Sequence, residues 1–113
     1  MASKKITKLD RPALERVAKV FALFSEPLRL ALIQELKTGE KSVNTLVKTL
    51  AASQAHVSRQ LTILFDGGLL SRERRGNQVF YSIGEKMVLE MCDLVCGKIN
   101  RDAEAAAGKR LFL

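Results

Sequence analysis

The sequence predicts a mainly α-helical fold carrying one small β-hairpin, and three observations lead there. Apolar residues recur at three- and four-residue spacing through most of the segment from residue 10 to residue 104. Capping and stopping residues cut that segment into helices: Asp10, Ser25-Glu26-Pro27, Thr38-Gly39, Ser53 and Gly67-Gly68. Finally, LLSRERR and QVFYSI flank Gly76-Asn77, which reads as strand, turn and strand.

The elements follow in order. Residues 1–9 hold Lys4, Lys5 and Lys8 without periodicity and are expected to form a flexible basic tail. Asp10 caps a first helix with Pro12 in its first turn, and Leu14, Val17, Ala18 and Phe21 give it an apolar stripe. A second helix spans about Glu26 to Lys37, with Leu28, Leu32, Ile33 and Leu36 inward. Ser42 or Val43 opens a short third helix that buries Leu46, Val47 and Leu50 and turns Asn44, Lys48 and Thr49 outward. After the tight connection Ala51-Ala52, Ser53 caps a fourth helix. There Val57, Leu61 and Leu64 fall inward, while Ala55, Ser58, Arg59 and Thr62 face outward and Gln54 and His56 occupy the exposed first turn. The spacing of the third and fourth helices fits a helix-turn-helix, and the hairpin beside it completes a winged helix-turn-helix. Gly84 leads into a last helix from about Glu85 to Glu104, so residues 10–104 form one domain and residues 105–113 a C-terminal tail.

Composition narrows the function. A chain of 113 residues, 47% hydrophobic and 27% charged, is one folded domain. Its 19 Lys and Arg against 12 Asp and Glu, a net charge of +7, favour a polyanionic partner. No apolar run approaches the roughly 18 residues that span a bilayer. The stretch MASKKITKLDR lacks the apolar core of a signal peptide, so a cytoplasmic protein without a membrane partner is expected. No paired-carboxylate, Ser-His-Asp or phosphate-loop pattern is present, which argues against an enzyme.

The outer face of the fourth helix has the side chains that read base edges. Gln pairs with adenine, Arg with guanine, Ser with several acceptors or with phosphate, and Ala55 permits close approach or meets a thymine methyl. Taken alone, Gln54, Ser58 and Arg59 are equally a solvated face. The hairpin shifts the balance, because Arg72, Arg74 and Arg75 crowd positive charge beside a compact polar tip, Gly76-Asn77-Gln78, suited to gripping phosphates. Double-stranded DNA is the expected partner.

At these residues the chain resembles the ArsR/SmtB winged-helix transcriptional repressors. The resemblance rests on FSEPLRLALIQEL at 24–36, SQAHVSRQLTIL at 53–64 and GGLLSRERRGNQVFYSI at 67–83, and it covers about residues 14–100. It implies a homodimer paired through the first and last helices, with each fourth helix in a major groove. It also implies base or phosphate contact for Gln54, Ala55, Ser58 and Arg59, and wing contact for Arg74, Arg75, Gly76, Asn77 and Gln78. His56 matches a variable position of the family and carries no assigned role. Independently, the apolar arc of the last helix sweeps about 220°, more than one core contact needs, and a partner chain is the economical cover.

The resemblance implies a sensor as well, yet the third helix, SVNTLVKTL, has neither Cys nor His, and the last helix has no His. Cys92 and Cys96 remain, four residues apart. Three readings stand for them: thiolate ligands of a thiophilic metalloid ion such as arsenite, a redox switch, or plain packing among Met87, Val88, Met91, Val95 and Ile99. The expected function is a DNA-binding transcriptional repressor released by a thiol-directed effector. An effector-independent winged-helix DNA-binding protein and a winged-helix protein-interaction module are the alternatives.

Overall fold

The computed structural model describes residues 8–107. Lys4 and Lys5 of the expected tail, and residues 108–113, lie outside the described residues. The elements are α1 (Arg11–Ala22), α2 (Pro27–Leu36), β1 (Lys41–Ser42), α3 (Val43–Leu50), α4 (Gln54–Asp66), β2 (Leu70–Arg75), β3 (Gln78–Ile83) and α5 (Met87–Ala107).

Each of the first four helices starts where a side chain can take up a free amide of its first turn. Asp10 accepts from the Ala13 amide at 3.0 Å, Glu26 from Arg29 at 3.0 Å, Ser42 from Thr45 at 3.1 Å and Ser53 from His56 at 3.1 Å. Pro27 adds a preset φ at the start of α2. The corner between α3 and α4 turns on Ala51, which sits at φ 52 in the left-handed region at a cost of roughly 1 kcal/mol.

One core holds these pieces together. Leu32, Ile33 and Leu36 of α2, Leu46 of α3, and Val57, Leu61 and Leu64 of α4 meet Leu70, Tyr81 and Val88. The inward faces read from the sequence are therefore the observed ones, with Leu28, Val47 and Leu50 half-buried at the margin. Gly76, at φ 65, makes the hairpin turn that an L side chain would strain.

Two features differ from the sequence reading. The hairpin belongs to a three-stranded antiparallel sheet of order β1-β3-β2, in which Lys41 and Ser42 pair with Tyr81 and Phe80. A two-residue strand has no alternation to read, so nothing in the sequence marked it. The last helix begins at Met87 rather than Glu85 and runs on to Ala107, taking in the alanines that were assigned to the tail; alanine is the best helix former.

The outer helices stay bare in a single chain. No residue of α1 is buried, and Leu14, Val17 and Phe21 are exposed along it. On α5, Val88 is buried but Leu94 is 71% and Val95 54% exposed.

Candidate nucleic-acid interface

The candidate recognition face is built from α4. Val57, Leu61 and Leu64 are fully buried, which at 100° per residue turns Ala55 and Arg59 outward, while Gln54 is exposed as the first residue of the helix. Ser58 is half-buried, on the side facing the hairpin. Asn44 of α3 joins Gln54, Ser58 and Thr62 along one wall of a groove of about 520 Å³, and Arg72, Arg74, Asn77 and Gln78 form the opposite wall. The structure thus brings Gln54, Ser58, Arg74, Asn77 and Gln78 together. Ala55 and Arg59 stand on the outer surface of the same helix, beyond the groove lining, and Gly76 is the turn residue at the tip.

The hairpin arginines, a single cluster in the sequence, are divided by the alternation of the strand. Arg72 and Arg74, opposite Tyr81 and Val79, point to the groove side, while Glu73 and Arg75 point to the other. Arg72 lies over the Phe65 ring, 3.9 Å from its centroid, and so ties the wing to the end of α4. Arg75 sits 2.5 Å from Glu40 and 3.7 Å from Glu73, stacked 4.0 Å above the Phe80 ring. Its charge is compensated inside the protein. Arg74 and Arg59 make no ion pair among the described residues, so their charge is available to a phosphate or a guanine.

A second groove, of about 730 Å³, lies between α5 and the α1–α2 corner. Its walls are mostly apolar, with Phe21, Phe24 and Leu30 facing Met91, Val95 and Ile99, and both cysteines open onto it. Lys37 at its rim pairs with Asp93 at 3.9 Å. Burial pushes the Cys92 thiol above its ordinary pKa; neighbouring Cys96 adds to that, Lys37 opposes it and Asp93 reinforces it. Cys92 is therefore a protonated thiol at neutral pH and a weak nucleophile. Among the described residues no group of three or more His, Cys, Asp and Glu could hold a metal ion, so one chain offers two thiols and no third ligand.

Sequence reasoning missed Gln60. It is 7% exposed, with its side-chain carbonyl accepting from Arg29 at 2.6 Å. The signal was present: residues 57, 60, 61 and 64 are one inner face of a helix, and a polar residue on that face calls for a partner.

Comparison with known proteins agrees with this geometry. A family model described as "Bacterial regulatory protein, arsR family" matches residues 26–72, from the start of α2 into β2. The chain is 31% identical over 85 residues to the HTH-type transcriptional regulator NmtR of Mycobacterium tuberculosis, covering 75% of this chain and 71% of that one. It is 32% identical over 77 residues to a probable mercury resistance operon repressor of Streptomyces lividans, covering 68% of this chain and 62% of that one. Among solved structures it resembles the homodimeric winged helix-turn-helix DNA-binding domain of a Mycobacterium bovis protein, with a TM-score of 0.75 and 27% identity over 87% of this chain and 93% of that one. No described helix is long and apolar enough to cross a membrane. With its winged helix-turn-helix, the exposed polar face of α4 and these relatives, the chain belongs to the arsR family of bacterial regulatory proteins and is a transcription regulator rather than an enzyme.

Proposed function

We propose that this protein is a homodimeric repressor that holds its operator through α4 and the wing and releases it when a thiol-directed effector occupies the Cys92–Cys96 groove. The observation that carries the DNA half is the groove joining Gln54 and Ser58 of α4 to Arg74, Asn77 and Gln78 of the wing. In this reading Gln54, Ala55, Ser58 and Arg59 meet bases or adjoining phosphates, while Arg74, Gly76, Asn77 and Gln78 meet the backbone. Arg75, paired with Glu40, chiefly braces the wing and reaches a phosphate only by exchanging that partner.

Binding is tested by anisotropy titration on the DNA upstream of the protein's own gene and on random DNA, each at several salt concentrations. Arg59→Ala is expected to lose about 1–3 kcal/mol of discrimination between the two, whereas Arg74→Ala weakens both alike and lowers the salt slope by about one. Equal loss on both DNAs for Arg59→Ala would move Arg59 to phosphate contact. Absence of binding at low salt would sink the DNA reading and leave the protein-interaction module.

For the effector half, both cysteines open onto one groove, which suits a ligand that takes two thiols at once. A relative named for mercury resistance, mercury being thiophilic, supports the same side. A third donor for arsenite would come from the partner chain or from solvent. In mobility-shift titrations with arsenite, a mercuric salt and peroxide tested separately, the Cys92→Ser/Cys96→Ser protein should keep its DNA affinity and lose the release seen in wild type. Unchanged release in that variant would make the cysteines packing residues.

A further inference from the structure

One polar strut crosses the otherwise apolar packing between α2 and α4. The Arg29 guanidinium donates from Nε to the Leu23 carbonyl at 2.9 Å, from Nη2 to the Ala22 carbonyl at 3.1 Å and from Nη1 to Gln60 Oε1 at 2.6 Å. The first two acceptors lie at the end of α1, where carbonyls lose their helical partners. The third lies on the inner face of α4, 31 residues away in sequence. Gln60 sits there among Val57, Leu61 and Leu64, where an aliphatic side chain would pack without needing a partner. Packing alone gives no reason for an amide at this position; the guanidinium does.

The two ends of the strut have different neighbours. Gln60 is on the helix that carries Ala55 and Arg59 on its outer face and Gln54 and Ser58 on its groove side, so a change in its register or tilt moves the whole reading face. The other end is the α1–α2 corner, and Phe21, Phe24 and Ser25 of that corner line the groove onto which Cys92 and Cys96 open, together with Leu30, Ile33 and Gln34 of α2. Whatever fills or reshapes the groove presses on the segment whose carbonyls hold Arg29. Apolar contacts tolerate sliding, but a planar guanidinium with three acceptors has a fixed geometry, so it conveys a displacement that softer contacts would absorb.

Resting on the repressor reading above, we infer that Arg29 and Gln60 are positioning residues that set the pose of α4 on DNA and pass the state of the Cys92–Cys96 groove to it. Neither touches DNA. Their role is to make groove and reading face one coupled element, as an allosteric transition requires.

A double-mutant cycle tests this. Cys96→Trp serves as the groove-filling probe, measured alone, with Gln60→Leu, and with Gln60→Glu, which keeps an acceptor for Arg29. Upstream-DNA affinity is read by anisotropy, with thermal melting and sedimentation alongside. Cys96→Trp is expected to weaken binding about tenfold when Gln60 or Gln60→Glu is present, and less than twofold in the Gln60→Leu background. Arg29→Lys, which has no fork, should abolish the response as Gln60→Leu does, and it takes the place of Gln60→Leu if that protein melts below assay temperature. A merely structural Gln60 would lower the melting temperature and leave the response factor the same in every background. Equal factors, as loss of the dimer would also give, or no response to Cys96→Trp with Gln60 present, overturn the inference. Wild-type protein that binds no DNA overturns the repressor reading instead, a separate result.

Discussion

Leu61→Ala is expected to lower the free energy of unfolding by about 2–5 kcal/mol, read as a fall in the urea midpoint with little change in slope. Leu61 is fully buried, at the centre of the inner face of α4, between Val57 and Leu64. Truncation removes the transfer free energy of the lost carbons and leaves a cavity that α2 and α3, both capped at their N-termini, fill only in part. Small domains have roughly 5–15 kcal/mol in total, so the loss is a large share of what keeps the chain folded. The effect also reaches DNA, because the helix that supplies this core contact supplies the reading face. The variant should lose operator binding on warming, before wild type does, and regain it on cooling. A loss under about 1 kcal/mol would mean that α4 is not anchored through Leu61.

That dual use of α4 explains what the sequence made legible. Inward and outward faces of α2, α3 and α4 follow from helical spacing, and the starts of α1, α3 and α4 from Asp10, Ser42 and Ser53, because these are local properties of a few consecutive residues. What stayed hidden depends on contacts between distant residues. Arg72, Arg74 and Arg75 looked alike until strand alternation sent Arg75 to Glu40 and left Arg74 on the groove side. Gln60 falls on the inner face by spacing, but its partner Arg29, 31 residues away, has no local signal. The pairing of Lys41 and Ser42 with β3 has no local signal at all. The exposed polar face of α4 was legible from helical spacing; its contact with DNA is the proposal that the titrations test.

Leu94→Asp combined with Val95→Asp should convert the dimer to a monomer in sedimentation and weaken upstream-DNA binding by about 100-fold or more, with far less effect on melting at matched monomer concentration. The two side chains are 71% and 54% exposed in the single chain, so the substitutions remove no core contact within it. Their apolar surface, continued by Ile99 on α5 and by Leu14, Val17 and Phe21 on α1, is larger than one small domain leaves in water without a partner. In a two-fold dimer each substitution occurs twice, which brings carboxylates of like sign together where apolar contact is expected. Loss of the partner turns binding of two half-sites in one event into two independent and weaker events, and a 100-fold loss corresponds to about 2.7 kcal/mol. A variant that remains dimeric with undiminished affinity would place the interface elsewhere. The bare faces of α1 and α5, and the cysteine groove between them, would then need another occupant.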